Sequence, residues 1–309
     1  MKVNENVLFC FSLCLIIVLS IQECSAQQTP PSSGGSVAPI NFIRIWVPTI
    51  AFSNEADIIK MARSAEEVRQ NTQYFDGLGR PIQTVDKQGS PIKVDVVIPM
   101  VYDAFGRERK KYLPVVTNTV DGLYKPNLID PTTGNYIGLA ATFYNNSSDK
   151  IADDLRPYSE TVFEPSPLNR PDKDFGAGKE WYDNNRHVKH GYLVNIHGTS
   201  EGQEKVIAWT IDANGAPAKA TAVLDYVEAG GYYSNGQLSI KSTKDEQGNE
   251  VREYVDKEGR TILKKVQAVS GIAQTNNDTH WAMTYYIYDD LGNLAVVLPP
   301  EAVKAIAQP

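Results

Sequence analysis

An aspartate followed three residues later by a glycine recurs seven times in this chain, and no other feature constrains its fold as strongly. Four copies follow closely on a tyrosine, and three weaker copies keep the spacing without it. Seven copies are too many for chance, so the spacing must serve one repeated local structure. The stretches are YFDGLGRPIQTV, VYDAFGRERKK, EYVDKEGRTILKK and IYDDLGNLAVV for the first group, and TVDKQGS, TIDANGAPAK and TKDEQGNEVRE for the second.

The repeated structure predicted by this spacing is a hairpin turn. An aspartate at the first position of a tight turn can accept hydrogen bonds from backbone N–H groups two residues on. A glycine three positions later can adopt the left-handed conformation that closes a type I turn into a bulged hairpin. Aromatic or β-branched residues before the turn, and alternating apolar residues after it, indicate strand, turn and strand. The residues assigned to these turns are Tyr74, Asp76, Gly79, Arg80, Asp86, Gly89, Tyr102, Asp103, Gly106, Arg107, Asp212, Gly215, Asp245, Gly248, Tyr254, Asp256, Gly259, Arg260, Tyr288, Asp289 and Gly292.

The first residues are typical of a targeting segment. Residues 1–26 resemble a secretory signal peptide, because a short polar start precedes the apolar run Val7–Ile21 and small residues end it. The run is too short for a comfortable membrane span. A lipoprotein signal centred on Cys24 is the alternative, and Gln22 and Glu23 disfavour it because such signals place small or apolar residues there.

All three cysteines of the chain, Cys10, Cys14 and Cys24, lie in this segment. After the predicted cleavage, the chain would form no disulfide, no cysteine-type zinc site and no cysteine nucleophile. We therefore expect an exported protein, periplasmic, at the cell surface or secreted, that is held together by core burial alone.

The charge of the chain argues against a nucleic-acid partner. The formal net charge is -7, and removing residues 1–26, which contain one lysine and two glutamates, leaves -6. Mild acidity without a basic stripe is not typical of a nucleic-acid binder. The remaining length can bury a sizeable core in one large β domain or in two smaller ones.

Two short segments follow the signal peptide. Residues 27–40 are rich in Gln, Pro, Ser and Gly and predict a flexible linker. Residues 41–72 predict a strand over Asn41–Val47 and then a helix over Asn54–Gln70, which is the one short helix that we expect near the N-terminus. Apolar residues recur there at helical spacing, and Asn54 can act as the N-cap.

The rest of the chain, residues 73–309, consists of short aromatic and β-branched runs separated by turn residues. Prolines interrupt residues 117–171, which we expect to be loops and edge strands. The intervals between the turns are unequal, so we do not expect a strict solenoid of identical rungs. We predict a mostly β fold built from repeated antiparallel hairpins.

The tyrosine-containing turns resemble the YD repeats of the RHS family, in the form found in the N-terminal region of Bacteroidetes-type secreted RHS repeat proteins. The bridge YSETVFEPSPLNR, Tyr158–Arg170, also resembles a segment typical of those proteins, and the similar stretches span most of residues 41–309. The resemblance implies that the hairpins form part of a curved or spiralling β-sheet shell that can enclose a cargo. In that family the cargo is commonly a C-terminal toxin domain.

The chain departs from the complete family pattern. The RHS core motif that closes the shell and the variable C-terminal domain are absent, and Ile129–Leu139 echoes that core only faintly. The final stretch PPEAVKAIAQP shows no closing strand or cap. We therefore expect a truncated product or a fragment, whose partners would be the missing C-terminal shell and toxin-like domain of a longer chain. Glycans or a neighbouring cell surface are the other partners that the family suggests.

Three histidines lie close together in the sequence, at His187, His190 and His197. A His-x-x-His pair converges on a metal when it lies on a helix, whereas on a strand the two side chains point to opposite faces. The surrounding HVKHGYLVNIHG is β-branched and aromatic, so we predict a strand with ordinary surface or packing histidines. The Asp212 and Asp256 loops do not match the register of a calcium loop. We predict no cofactor and no metal.

No catalytic constellation can be identified. Asp153–Asp154 and Asp289–Asp290 are neighbours in sequence, and neighbouring side chains diverge in a strand or turn. There is no Gly-x-Ser-x-Gly elbow and no glycine-rich phosphate loop before a helix. We predict a protein that is not an enzyme.

The paired aromatics allow two interpretations. Tyr232–Tyr233, Trp181–Tyr182 and Tyr285–Tyr286 could stack on sugar rings, or they could fill the sheet interior as cross-strand partners, which is the interpretation that we favour. The sequence thus predicts a non-catalytic scaffold for encapsulation or delivery in a polymorphic-toxin-like system. The alternative is a carbohydrate-binding or adhesive cell-surface module.

Overall fold

The computed structural model describes residues 40–146, 151–197, 205–221, 224–269 and 280–307. The predicted signal peptide, and all but the last residue of the predicted linker, lie outside the described residues. The described part of the chain forms four helices, α1 Glu55–Ile58, α2 Gly138–Phe143, α3 Lys179–Asp183 and α4 Pro300–Ala307.

Strands make up most of the regular structure, and the described residues contain eighteen of them. The first nine are β1 Asn41–Pro48, β2 Val68–Phe75, β3 Pro81–Asp86, β4 Val96–Val101, β5 Lys110–Tyr112, β6 Val115–Val116, β7 Tyr158–Phe163, β8 Pro171–Phe175 and β9 Val188–Val194. The other nine are β10 Trp209–Ile211, β11 Pro217–Lys219, β12 Val227–Glu228, β13 Tyr232–Tyr233, β14 Ser239–Lys244, β15 Glu250–Val255, β16 Thr261–Gln267, β17 Trp281–Tyr288 and β18 Leu294–Leu298.

The described residues divide into two compact units. Unit 1 extends to Val101 and resumes over Pro114–Asn146, whereas unit 2 contains Tyr102–Leu113 and the residues after Asn146. In unit 1 the strands pair antiparallel in the order β1-β2-β3-β4, and β6 also pairs with β4. Neighbours in sequence are thus neighbours in the sheet, as repeated hairpins predict.

Unit 2 contains a longer antiparallel sheet. Its strands pair in the order β5-β7-β8-β9-β14-β15-β16-β17-β18. Between β9 and β14 the chain forms two small hairpins, β10–β11 and β12–β13. The prediction of a mostly β fold made of antiparallel hairpins is therefore confirmed.

The predicted helix over Asn54–Gln70 is wrong over most of its length. The Asn54 side chain caps α1 by accepting from the backbone N–H of Ala56 at 2.9 Å, but α1 ends at Ile58. Val68–Phe75 is instead a strand whose alternate side chains are buried and which pairs with β1 along its whole length. That pairing outweighs the local helical pattern, and β2 also crosses the predicted boundary at residues 72 and 73.

Regular structure was also missed elsewhere. The final stretch contains α4, whose Val303 is buried and contributes to the core beside β17. In segment 117–171, where loops and edge strands were expected, the residues described before β7 form only α2 and one isolated bridge, whereas β7 pairs on both sides, with β5 and β8. No helix in the described part of the chain has the length and apolar content needed to span a membrane.

The core of unit 2 lies on one face of the sheet formed by β14 to β18. The two small hairpins pack onto this face, with the ring of Trp209 edge-on to Tyr285 at a centroid distance of 5.9 Å. Burial of these apolar side chains is the main stabilising contribution to the unit. The buried members are Val206, Ala208, Ala220, Val227, Tyr233, Leu238, Ile240, Tyr254, Ile262, Leu263, Tyr285, Ile287, Leu298 and Val303.

Unit 1 buries a charged pair. The carboxylate of Asp95 is fully buried and lies 3.1 Å from the ammonium nitrogen of Lys125. It also accepts hydrogen bonds from the backbone N–H groups of Gln88 at 3.0 Å and Gly122 at 2.8 Å, and from the Thr119 hydroxyl at 3.0 Å. The Asp95 side chain thus holds the connection between β3 and β4 to the segment that follows β6.

Candidate functional site

The turn between β15 and β16 shows what the Asp-x-x-Gly spacing builds. One carboxylate oxygen of Asp256 accepts from the backbone N–H groups of Glu258 at 3.0 Å and Arg260 at 2.8 Å, and the other accepts from the Arg260 Nε at 2.7 Å. The backbone N–H of Asp256 donates to the Arg260 carbonyl, and that of Gly259 donates to the Asp256 carbonyl. A register shift follows in the sheet at Tyr254–Val255, as expected for a bulged hairpin.

The same geometry occurs at six of the seven copies. In each, the aspartate carboxylate accepts from the backbone N–H groups two and four residues on, at 2.8–3.0 Å, and the glycine has a φ of 77–88°. Only glycine adopts that φ without strain. The six aspartate–glycine pairs are Asp76–Gly79, Asp103–Gly106, Asp212–Gly215, Asp245–Gly248, Asp256–Gly259 and Asp289–Gly292.

The residue after the glycine completes five of these turns. Arg80, Arg107 and Arg260 each donate Nε to the second carboxylate oxygen of their own turn aspartate, at 2.7–2.9 Å. Asn249 and Asn293 donate their side-chain amides to the same position. The arginines were assigned to these turns from the sequence but the asparagines were not, although an Arg or Asn directly after the glycine was a visible signal.

The copy at Asp86–Gly89 differs. Its left-handed residue is Gln88 rather than Gly89, and the Asp86 carboxylate accepts from the side-chain amide of Asn71 on β2 at 2.5 Å. The physical reason is the length of the connection, because nine residues separate β3 from β4. A tight hairpin turn cannot span a loop of that length, so Asp86 fixes a cross-strand contact instead.

Three hairpin arginines also lie over aromatic rings. The guanidinium carbon of Arg107 is 4.4 Å from the centroid of the Phe163 ring, and that of Arg260 is 5.2 Å from the Tyr288 ring. In the β7–β8 hairpin, Arg170 forms a two-point ion pair with Glu164 and lies 4.6 Å from the Tyr192 ring. Cation–aromatic contacts of this kind contribute roughly 0.5–1 kcal/mol each at exposed sites. They join turns that come from different parts of the chain.

The four tyrosines of the repeats occupy different environments. Tyr74 and Tyr254 are almost completely buried in the interiors of their units. Tyr288 is partly exposed and donates its hydroxyl to the carbonyl of Thr261 at 3.1 Å. Tyr102 is also partly exposed. Two of the repeat tyrosines thus pack in the core, and a third, Tyr288, contacts a neighbouring hairpin.

Replacing Asp256 by alanine tests the turn directly. We expect a loss of about 2–3 kcal/mol in the free energy of unfolding, because two backbone N–H groups and the Arg260 guanidinium lose a nearly buried acceptor. Asp212→Ala is the matched variant, since its turn ends in Ala216 and has no side-chain partner. We expect it to lose only about 1 kcal/mol. Urea unfolding measures both, and equal losses would exclude a contribution from the arginine.

The turn aspartates also predict how stability depends on pH. Hydrogen bonds from the backbone N–H of Arg80, and from the side-chain amides of Asn249 and Asn293, hold the pKa values of Asp76, Asp245 and Asp289 below their ordinary value of 3.8. A pKa that is lower in the folded chain stabilises the fold above the unfolded value, and this contribution is lost as the pH falls through the folded value.

We therefore expect the urea midpoint to fall steadily as the pH is lowered below about 4. The double variant with Asp245→Asn and Asp289→Asn should show a shallower fall, because those two carboxyls no longer take up protons. The measurement is a series of urea unfolding curves across the acid range. An unchanged slope in the double variant would mean that other carboxyls control the acid response.

The three histidines do not converge on one point. His190 on β9 lies with Nε2 2.8 Å from a carboxylate oxygen of Asp174, whereas His187 bonds the carbonyl of Asn185. His197 bonds the carbonyl of Tyr233 and lies 3.1 Å from a carboxylate oxygen of Glu228. No group of three or more potential ligands that could hold a metal occurs among the residues that the structure describes.

The paired aromatics are divided between core and surface. Tyr233 and Tyr285 are buried in the core of unit 2. Trp181 and Tyr182 on α3 are about two-fifths exposed, and the Tyr182 ring is covered by the Arg156 guanidinium, whose carbon lies 3.4 Å from its centroid.

Unit 2 contains a cavity of about 940 Å³ beside the Asp256 and Asp289 turns. Its walls come from β10, the β12–β13 hairpin, and the turns that join β15 to β16 and β17 to β18. Aromatic side chains and carboxylates contribute most of its functional groups. The cavity could not be predicted from the sequence, because its walls come from four separate stretches of the chain.

Comparisons with known proteins give a family match over part of the chain. A family model described as a domain of unknown function, DUF6443, matches residues 48–194. No curated protein matches the chain.

Among solved structures, the chain is similar to parts of much longer proteins. It is 14% identical to the TcdB2-TccC3 chain without its hypervariable C-terminal region, over 77% of this chain, with a TM-score of 0.40. It is 12% identical to a Tc holotoxin pore of Photorhabdus luminescens over 77% of this chain, with a TM-score of 0.39. It is 14% identical to another crystal structure of TcdB2-TccC3 over 91% of this chain, with a TM-score of 0.40. The chain spans only 9%, 9% and 12% of the lengths of these three chains.

Proposed function

We propose that this chain is a non-catalytic N-terminal part of an exported shell protein of the RHS type. It would act as a scaffold that encloses or delivers a toxin-like cargo carried further along a longer chain. The Tyr, Asp, Gly and Arg residues of the repeats would then be structural, with aspartate and glycine fixing each turn and tyrosine packing the sheet.

The turn geometry is the observation that carries this proposal. The four stretches that resemble YD repeats, at Asp76, Asp103, Asp256 and Asp289, share the same pattern of carboxylate-to-backbone hydrogen bonds. Each hairpin alone buries little apolar surface, and adding further hairpins to the same sheet extends a common core. A sheet of this kind is better suited to form the wall of a shell than to hold a catalytic centre.

Measuring the intact mass of the native product tests the proposal. The product would be captured from the producing cells and, separately, from their medium with an antibody raised against this chain. We expect a mass several times that of the 309 residues, recovered outside the cytoplasm. A mass matching residues 27–309 would overturn the view that the chain opens a longer shell.

The second candidate is a carbohydrate-binding or adhesive surface module. The exposed Trp181 on α3, beside the partly exposed Tyr182, favours it, because aromatic faces can stack on sugar rings. A glycan array probed with the purified chain and with Trp181→Ala tests this candidate. Binding that disappears in the variant would favour it over the scaffold.

A further inference from the structure

The cavity of unit 2 has a marked excess of negative charge. Five carboxylates line it, at Asp225, Asp256, Glu258, Asp289 and Asp290, and two cations accompany them, Lys257 and Arg260. Five negative and two positive charges leave a formal excess of three negative charges. Such an excess in a concave site attracts cations and disfavours anions.

Two of these carboxylates remain available to a ligand. Arg260 pairs with both Asp256 and Glu258, and the Asp289 carboxylate accepts from its own turn. Asp225 and Asp290 are exposed, and neither forms a hydrogen bond or ion pair within the part of the chain that the structure describes.

Aromatic rings form much of the remaining wall. Trp209, Tyr226, Tyr286 and Tyr288 all line the cavity, and Tyr226 is about half exposed. The faces of such rings attract a Lys or Arg side chain within about 6 Å. This chain already uses the contact nearby, since the Lys219 ammonium lies 3.7 Å from the Tyr232 ring centroid.

We propose that this cavity binds a basic peptide segment. A lysine or arginine side chain would enter between the rings and the free carboxylates of Asp225 and Asp290. The site is distinct from the scaffold role, because none of these groups is needed to close a turn. A neutral glycan would satisfy the rings but not the charge.

Isothermal titration with blocked tripeptides tests the proposal. We expect the acetylated and amidated tri-lysine peptide to bind the full chain and the matching tri-glutamine peptide not to bind. Raised salt should weaken the binding, because part of it is electrostatic. In the double variant with Asp225→Asn and Asp290→Asn, we expect binding to weaken about tenfold.

Two further variants separate this site from non-specific attraction. Asp172→Asn removes one carboxylate from β8 outside the cavity and should leave binding unchanged. Tyr226→Ala removes a half-exposed ring from the cavity wall and should weaken binding about threefold. Equal weakening by Asp172→Asn would overturn the proposal, and so would binding of a neutral oligosaccharide such as cellotetraose without binding of tri-lysine. Far-ultraviolet circular dichroism verifies that each variant is folded.

Discussion

Replacing Asp95 by alanine is expected to lower the free energy of unfolding of unit 1 by about 3–5 kcal/mol. The carboxylate is fully buried, and its removal leaves the Lys125 ammonium and the N–H groups of Gln88 and Gly122 without this acceptor. The Lys125 ammonium keeps the Asp121 carboxylate as a second partner, so the loss comes chiefly from the broken buried pair and from the buried N–H groups left without their acceptor. Hydrogen exchange measured by mass spectrometry is the suitable readout, because it reports unit 1 separately from unit 2.

Two other variants make this prediction specific to the buried charge. Adding Lys125→Met to Asp95→Ala should recover part of the lost stability, because the methionine needs no counter-ion. Asp57→Ala, which removes the partly exposed partner of Lys60, should change the protection of unit 1 very little. The prediction fails if the double variant is no more stable than Asp95→Ala alone.

Replacing Gly231 by alanine is the second change with a large expected effect. Gly231 lies between β12 and β13 with a φ of 71°, and an added Cβ would clash with the carbonyl oxygen of Ala220. Its own carbonyl also accepts from the backbone N–H of Ala208. The small hairpins would have to move apart over the core, so we expect a loss of about 3–5 kcal/mol in unit 2.

The control for this variant is Gly248→Ala. Gly248 also has a positive φ, of 88°, but an added Cβ would meet no atom within 4 Å. It should lose only the cost of the left-handed conformation, about 1–2 kcal/mol. Urea unfolding followed by far-ultraviolet circular dichroism compares the two. Similar losses would show that the cost of the left-handed backbone conformation, and not the contact with Ala220, accounts for the lost stability of Gly231→Ala.

The hairpins could be predicted from the sequence because their causes are local. At six turns the aspartate, the glycine and the bonds they make lie within five successive residues, so the spacing itself encodes the geometry. The helix over Asn54–Gln70 was misjudged because a non-local cause decided it. Val68–Phe75 pairs with β1, and no pattern within the segment reveals that partner.

Non-local contacts explain what else the sequence analysis missed. Asp95 meets Lys125 thirty residues on, and Arg107 reaches the Phe163 ring across a longer interval. Asp95, Lys125 and Arg107 each resemble an ordinary surface charge when the sequence is considered alone. The cavity in unit 2 was missed for the same reason, since Trp209 and Asp290 come together only through the sheet.

The local closure of the turns has a consequence for how the chain acquires its structure. A hairpin of this kind can form in roughly 1–10 microseconds, whereas synthesis adds roughly 5–20 residues per second. From β15 to β18 each strand pairs with the strand made just before it. Each newly made strand can therefore join the growing edge before the next one emerges, so the sheet can assemble from its N-terminal side while the chain is still being made.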